Sequence, residues 1–214
     1  MHDQATRLRN MMCRSLPQVS RTAHTILVCG SQHGVGATTI ATNLSLLIGR
    51  RRRVVLETVR GSKPPLQTSA FPEWKLIDGG PITTKDFHRY WQVADEVVLV
   101  TTADSFAIMD AYTGIKLNAL IAKGIPIRVV INQVDDAARI HDAYGRLDRS
   151  CRRFLGLELA LGGSVPLDPC VVAAAEHAAP VTQRYHESRA ALALRSIAAA
   201  LEDSVDSIVS EPVA

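Results

Sequence analysis

The sequence predicts an α/β domain whose mostly parallel sheet is flanked by helices on both faces. Two observations carry this. Short apolar runs of strand length alternate with segments of helical period along most of the chain, the arrangement that produces crossover connections and a doubly covered sheet. In addition, residues 26–48 place a strand, a glycine-rich loop and a helix in direct succession. The 214 residues, 47% hydrophobic, are enough for one sizeable core, so a single domain is expected.

The elements follow in order. Ile26-Leu27-Val28-Cys29 is a buried-strand run, and Gly30 to Thr39 is the loop. Thr38 to Ile48 has helical spacing, with Ile40, Leu44, Leu47 and Ile48 on one face. Arg50-Arg51-Arg52-Arg53 follows, read as a solvated helix end that complements the dipole, with DNA or acidic-lipid contact as the alternative. Val54-Val55-Leu56 is a second strand, followed by the proline-rich stretch Gly61-Ser62-Lys63-Pro64-Pro65. Trp74 to Asp78 is a third strand, which Asp78 ends before Gly79-Gly80-Pro81. Glu96 to Val100 is a fourth, Ser105 to Lys123 a helix, and Ile127 to Ile131 a fifth strand. Asp135 and Asp136 read as helix N-caps. From Ser188 to Ile208 the spacing of Leu192, Ile197, Leu201 and Val205 predicts a docked helix.

Several function classes are excluded or disfavoured. No apolar run approaches the ~20 residues of a membrane span, and Met1-His2-Asp3-Gln4 lacks the features of a signal peptide, which predicts a cytoplasmic chain. Cys13, Cys29, Cys151 and Cys170 form no C-x-x-C, which points to reduced thiols rather than a zinc site. A formal charge of +3 is too mild to imply nucleic acid.

The loop carries the chemistry. Gly30-Ser31-Gln32-His33-Gly34-Val35-Gly36-Ala37-Thr38-Thr39 fits the phosphate-loop pattern G-x-x-x-x-G-K-[ST] at every position except the lysine, where Ala37 stands. Backbone N–H groups and the positive helix end can cradle phosphates without a side chain. Gly34, Val35, Gly36, Ala37, Thr38 and Thr39 are therefore the candidate nucleotide contacts. The missing ammonium is the group that reaches the β- and γ-phosphates, so hydrolysis suffers more than binding. A glycine turn that binds nothing is the alternative. Thr38 and Asp78 are the candidate Mg²⁺ ligands, against an aspartate that merely ends a strand and caps a turn. Asn132 is placed to read a base edge, or is a turn residue.

These residues resemble the MinD/ParA branch of P-loop ATPases and, within it, the FlhG/FleN-type family of flagellar number and placement regulators. Asp3-Gln4-Ala5-Thr6-Arg7-Leu8-Arg9 is similar to that family's DQAxxLR segment, and Gly34-Val35-Gly36-Ala37-Thr38 to its GVGKT. Ala41-Thr42-Asn43-Leu44, Ala94 to Val98, Thr101-Thr102, Asp110-Ala111-Tyr112 and Ile115-Lys116 extend the match. So do Asn132, Arg153-Phe154-Leu155-Gly156 and Val165-Pro166-Leu167-Asp168-Pro169. The resemblance implies a MinD-like domain over 24–206, a partner-binding segment over 1–20 and a tail over 207–214. It implies ATP or ADP with Mg²⁺ as cofactor, with Asn132 and Pro166 joining the loop in the nucleotide site. As partner it implies an FlhF-type GTPase engaged by Asp3, Gln4, Ala5, Leu8 and Arg9, with flagellar basal-body components beyond it. On a helix Ala5, Leu8 and Met12 share one face, which also suits packing on the chain's own domain.

The departures are specific. The family's signature lysine corresponds to Gln32 and its P-loop lysine to Ala37. Its Asp-x-Asp strand end reads Leu56-Glu57-Thr58-Val59, and the chain is trimmed between that strand and Asp78. The end Ser210-Glu211-Pro212-Val213-Ala214 has no basic amphipathic helix for a membrane. Each lost lysine removes a contact worth roughly 1.5–3 kcal/mol, which implies weak or absent nucleotide binding and ATP hydrolysis, and counts against an ATP-bridged homodimer while leaving a nucleotide-independent one open. A slow Mg-ATPase switch, and a DNA-binding partition factor using Arg50–Arg53, are the rival readings.

Overall fold

The computed structural model describes residues 23–59, 72–84, 87–120 and 124–210. Six strands form one sheet: β1 (His24–Gly30), β2 (Val54–Thr58), β3 (Trp74–Pro81), β4 (Glu96–Thr101), β5 (Ile127–Asn132) and β6 (Ala160–Val165). All neighbours are parallel, in the order β2-β3-β1-β4-β5-β6. The helices are α1 (Ala37–Ile48), α2 (His88–Val93), α3 (Ser105–Ala119), α4 (Ala137–Leu155), α5 (Pro169–Glu176), α6 (Val181–Arg184) and α7 (Arg189–Ser210). The α/β class expected from the alternation is the one observed. The last turn of α7 takes in the first residues of the 207–214 tail.

Strand alternation sorts the core into two layers. Ile26 and Val28 of β1, Leu76 of β3, Val98 and Val100 of β4 and Val130 of β5 face α1, α5, α6 and α7. Leu27, Cys29, Ile77, Val97, Leu99, Val129 and Ile131 face α2, α3 and α4. Helix α1 is tied to the bundle beside it by Asn43. Its Oδ1 accepts from the Thr182 N–H at 3.0 Å and hydroxyl at 2.7 Å, while its Nδ2 donates to the Thr39 carbonyl at 2.8 Å.

Several expectations are corrected. Strand β3 runs three residues past Asp78, because a bulge opposite Val28 and Cys29 lets the chain stay paired through Gly80 and Pro81. Helix α3 ends at Ala119 rather than Lys123, and residues 121–123 lie outside the described ones. Asp136 alone caps α4, by accepting from the Ala138 N–H, while Asp135 pairs with Arg189 at 2.8 Å. Leu192 is 49% exposed, since it stands five positions before Ile197, about 140° around the helix, and so turns off the buried face of α7. The arginine run lies beyond α1, whose last turn holds no basic residue. Arg51 pairs with Glu202 at 3.7 Å, Arg52 with Asp206 at 2.6 Å and Arg53 with Glu73 at 3.0 Å, so the run links the sheet edge to α7.

Candidate functional site

The loop leaves the carboxyl end of β1, between β3 and β4. This is the switch point of an open parallel sheet, where successive connections diverge and leave a crevice. The start of the loop is pinned to the sheet on either side: the Ser31 N–H donates to the Val100 carbonyl and the Ile82 N–H to the Gly30 carbonyl, each at 2.8 Å.

Gly34 and Gly36 have φ of +81° and +91°, left-handed values that favour glycine. A Cβ on Gly36 would stand 2.3 Å from the Asn132 Nδ2. That amide donates to the Val35 carbonyl at 2.8 Å, and the next residue, Gln133, donates from Nε2 to the Gly34 carbonyl at 3.1 Å. Two consecutive amides at the end of β5 therefore hold two consecutive loop carbonyls. Because trans peptides set N–H opposite C=O, the N–H groups of Val35 and Gly36 point away from those amides. Gln133 has φ of +60°, an uncommon backbone for a residue with a side chain.

Helix α1 begins at Ala37 with no side-chain cap and no acidic residue in its first turn. Its first N–H groups have no intrahelical acceptor and the positive end of its dipole is uncompensated, which suits an anion. By contrast α3, α4 and α5 are capped by Asp104, Asp136 and Asp168. Thr38 and Thr39 are exposed, whereas Ala37 is buried and carries no charge to the loop. The side chains recorded on the loop backbone are neutral amides.

Asp78 is buried in β3, next to β1, and its Oδ1 accepts from the Gly80 N–H at 3.3 Å across the bulge. Beneath the loop, burial first and the Asp78 charge second push the Cys29 thiol far up, so it stays protonated core. Among the described residues no group of three or more His, Cys, Asp or Glu side chains converges as a metal cluster. A Mg²⁺ ion here would take Thr38 and Asp78 together with phosphate oxygens, the usual mixture for that ion.

Pro166 follows β6 and is half-buried, and the Val165 carbonyl before it accepts from the Val134 N–H at 3.3 Å. The ends of β5 and β6 are thus joined beside Asn132. Reasoning from sequence missed three residues that shape this rim. Asp168 caps α5 through the Cys170 N–H at 2.9 Å and accepts from the Ala190 N–H at 3.0 Å, the bond that most lowers its pKa. Arg189 joins Asp135 to the Leu167 carbonyl, at 2.8 and 3.2 Å. Gln133 is the third. Asp168-Pro169 carries a readable signal, a cap followed by proline at the first helical position; Gln133 and Arg189 carry none. Asp3, Gln4, Ala5, Leu8 and Arg9 lie outside the described residues.

The backbone thus fits a phosphate, the Thr38 hydroxyl and the Asp78 carboxylate are oxygen donors of the kind Mg²⁺ takes, and the lysine charge is absent. No protein-family model matches the chain, and no curated protein matches it. Solved structures do. A chain of the MinC:MinD cell division protein complex from Aquifex aeolicus superposes with a TM-score of 0.68 at 16% identity, over 90% of this chain and 98% of that one. The septum site-determining protein MinD complexed with Mg-ADP from Pyrococcus horikoshii OT3 gives 0.63 at 16%, over 88% and 98%. A ParA family ATPase from Chlorobium tepidum TLS gives 0.66 at 13%, over 83% and 98%. The fold is that of the MinD/ParA-type P-loop ATPases. No helix among the described residues is long and apolar enough to cross a membrane.

Proposed function

We propose that this chain is a degenerate FlhG/FleN-type protein: it keeps the phosphate cradle of the MinD/ParA fold, hydrolyses ATP weakly or not at all, and regulates flagellar assembly by engaging an FlhF-type GTPase. The observation that carries the reading is Ala37, buried at the start of α1 in a loop whose glycine geometry is intact. Glu57, at the place of the family's Asp-x-Asp end, pairs with Lys75 at 2.9 Å. When bound, a Mg-nucleotide supplies a phosphoryl group and a dense negative charge. Val35 and Gly36 N–H groups and the first turn of α1 bind and orient it, with Thr38 and Asp78 holding the cation. Asp3, Gln4, Ala5, Leu8 and Arg9 act on the partner and require no turnover at the loop.

The experiment is GTP turnover by an FlhF-type GTPase with and without the full chain, beside a Gln4→Ala/Arg9→Ala variant. Stimulation by the wild type that the variant loses supports the adaptor. No stimulation by the wild type sinks it. A slow Mg-ATPase switch is the second reading, favoured by Asp78, a carboxylate buried in β3 in register with Val28 of the strand that leads into the loop. Saturable Mg-ATP turnover that Asp78→Ala abolishes supports that reading instead.

A further inference from the structure

Helices α3 and α4 lie side by side over one face of the sheet, and their outward surfaces differ in kind. On α3, Ala107, Ile108, Ala111, Gly114, Ile115 and Asn118 are buried. Phe106, Met109, Leu117 and Leu120, with Thr113 among them, fall on the opposite side, within an arc of about 80° at 100° per residue. The four large side chains are 55–74% exposed. They present on the order of 500 Å² of apolar surface, at the upper end of what a monomer leaves uncovered.

Beside that stripe stands a cationic ridge. Arg146, Arg149 and Arg153 lie along the outer side of α4, and the Arg146 Nη1 reaches the Ser105 hydroxyl at 3.5 Å, next to Phe106. With Ser150, Arg152 and Phe154 they line an open trough of ≈ 730 Å³. Phe154 is 65% exposed, with the Arg153 guanidinium 5.3 Å over its ring. Arg146 pairs with Asp142, and Arg152 with Asp148 and Glu158. Arg149, Arg153 and the exposed Lys116 have no carboxylate partner among the described residues. Half-buried Asp110 and the α3 cap Asp104 are the acidic groups nearest the stripe in sequence.

We infer that this two-helix surface docks on an anionic lipid bilayer, with the α3 stripe entering the acyl boundary and the α4 guanidinium groups meeting lipid phosphates. The charge calls for an anionic partner. The stripe decides which one: of its four large side chains only Phe106 is aromatic, while Met109, Leu117 and Leu120 cannot stack on bases, whereas single-stranded nucleic acid is gripped by successive aromatic platforms. Side chains that protrude beside arginines are the pattern of an interfacial surface. The cations attract the acidic leaflet and the apolar groups hold depth. This surface belongs to the body of the domain, not to a terminal helix.

The test is flotation of the full chain with neutral phosphatidylcholine vesicles and with vesicles containing phosphatidylglycerol, and in parallel the retention of a single-stranded oligonucleotide. The wild type should float with the anionic vesicles only, and less so as salt rises. Arg149→Ala/Arg153→Ala should weaken that partition about 30-fold, and Phe106→Ser/Leu120→Ser should weaken it while leaving the salt slope unchanged. All four positions are exposed, and circular dichroism checks that both variants fold. Equal binding to both vesicle types, no binding to the anionic ones, or wild-type partition by both variants overturns the inference. Oligonucleotide retention without vesicle binding overturns it in favour of nucleic acid.

Discussion

The contact between Asn132 and the phosphate loop can be isolated by a double-mutant cycle with Gly36. Asn132→Ala removes the buried donor to the Val35 carbonyl and leaves that acceptor unpaired, a loss of about 1–3 kcal/mol. Gly36→Ala has two costs. At φ +91° a Cβ is strained by about 1–2 kcal/mol. At 2.3 Å it also displaces the Asn132 amide, so the same hydrogen bond is lost, about 1–3 kcal/mol again. In the double variant that bond can be lost only once, while the backbone strain remains. The combined destabilisation should fall short of the sum of the two single effects by about 1–3 kcal/mol. Urea unfolding followed by circular dichroism on the four proteins measures this. Additivity within about 0.5 kcal/mol would show that Asn132 is not seated against the loop, and the argument for a side-chain-held cradle would go with it.

Restoring the P-loop charge by Ala37→Lys should tighten Mg-ADP binding by roughly 10- to 150-fold, the worth of one charge-assisted contact of about 1.5–3 kcal/mol, read by calorimetric titration. An unchanged affinity would mean that the loop does not meet phosphate. Asp168→Ala uncaps α5 and frees the Ala190 N–H, and should cost about 1–3 kcal/mol in urea unfolding at neutral pH. The Asp168 pKa is lowered by folding, so its contribution is complete above the unfolded carboxylate value of about 3.9 and is lost as pH falls through the lower folded value. The wild type and Asp168→Asn should accordingly converge in stability only at acid pH, and a constant gap down through that window would refute the assignment. Burial pushes the Cys151 thiol up to about 12 and the Cys29 thiol higher still. Mass-mapped alkylation at neutral pH should leave both unmodified until denaturant is added.

The strands were legible because a doubly covered parallel sheet writes itself as uninterrupted apolar runs, as in Val97 to Val100 and Val129 to Ile131. Glycine and helix spacing made the loop legible for the same reason of local chemistry. The rest depended on partners distant in sequence. Asp78 looked like a strand end because Gly79-Gly80 follows it, yet pairing with β1 carries the strand through a bulge. The arginine run looked like a helix terminus, but Glu202, Asp206 and Glu73 decide its contacts. Nothing local in Gln133 announces a bond to Gly34, 99 positions away. The same holds for Asn132, whose amide could be placed at the site from the sequence but not on the loop itself.

That long-range placement explains how the loop can lose its charge and keep its shape. A P-loop lysine contributes to phosphate binding by Coulomb attraction from a flexible stem. The loop's backbone here is instead shaped by φ at Gly34 and Gly36, by the Asn132 and Gln133 amides, and by strand pairing through Ser31 and Ile82. None of these contacts involves position 37, so Ala37 removes the attraction without relaxing the geometry. An uncapped helix start and outward N–H groups remain for an anion. The consequence separates two quantities that usually move together. Recognition of phosphate scales with fixed backbone dipoles, while transfer of the γ-phosphoryl group needs mobile positive charge where negative charge accumulates. Under the proposed function such a chain would sense a nucleotide and turn it over slowly, and any signal it passed on would travel through binding.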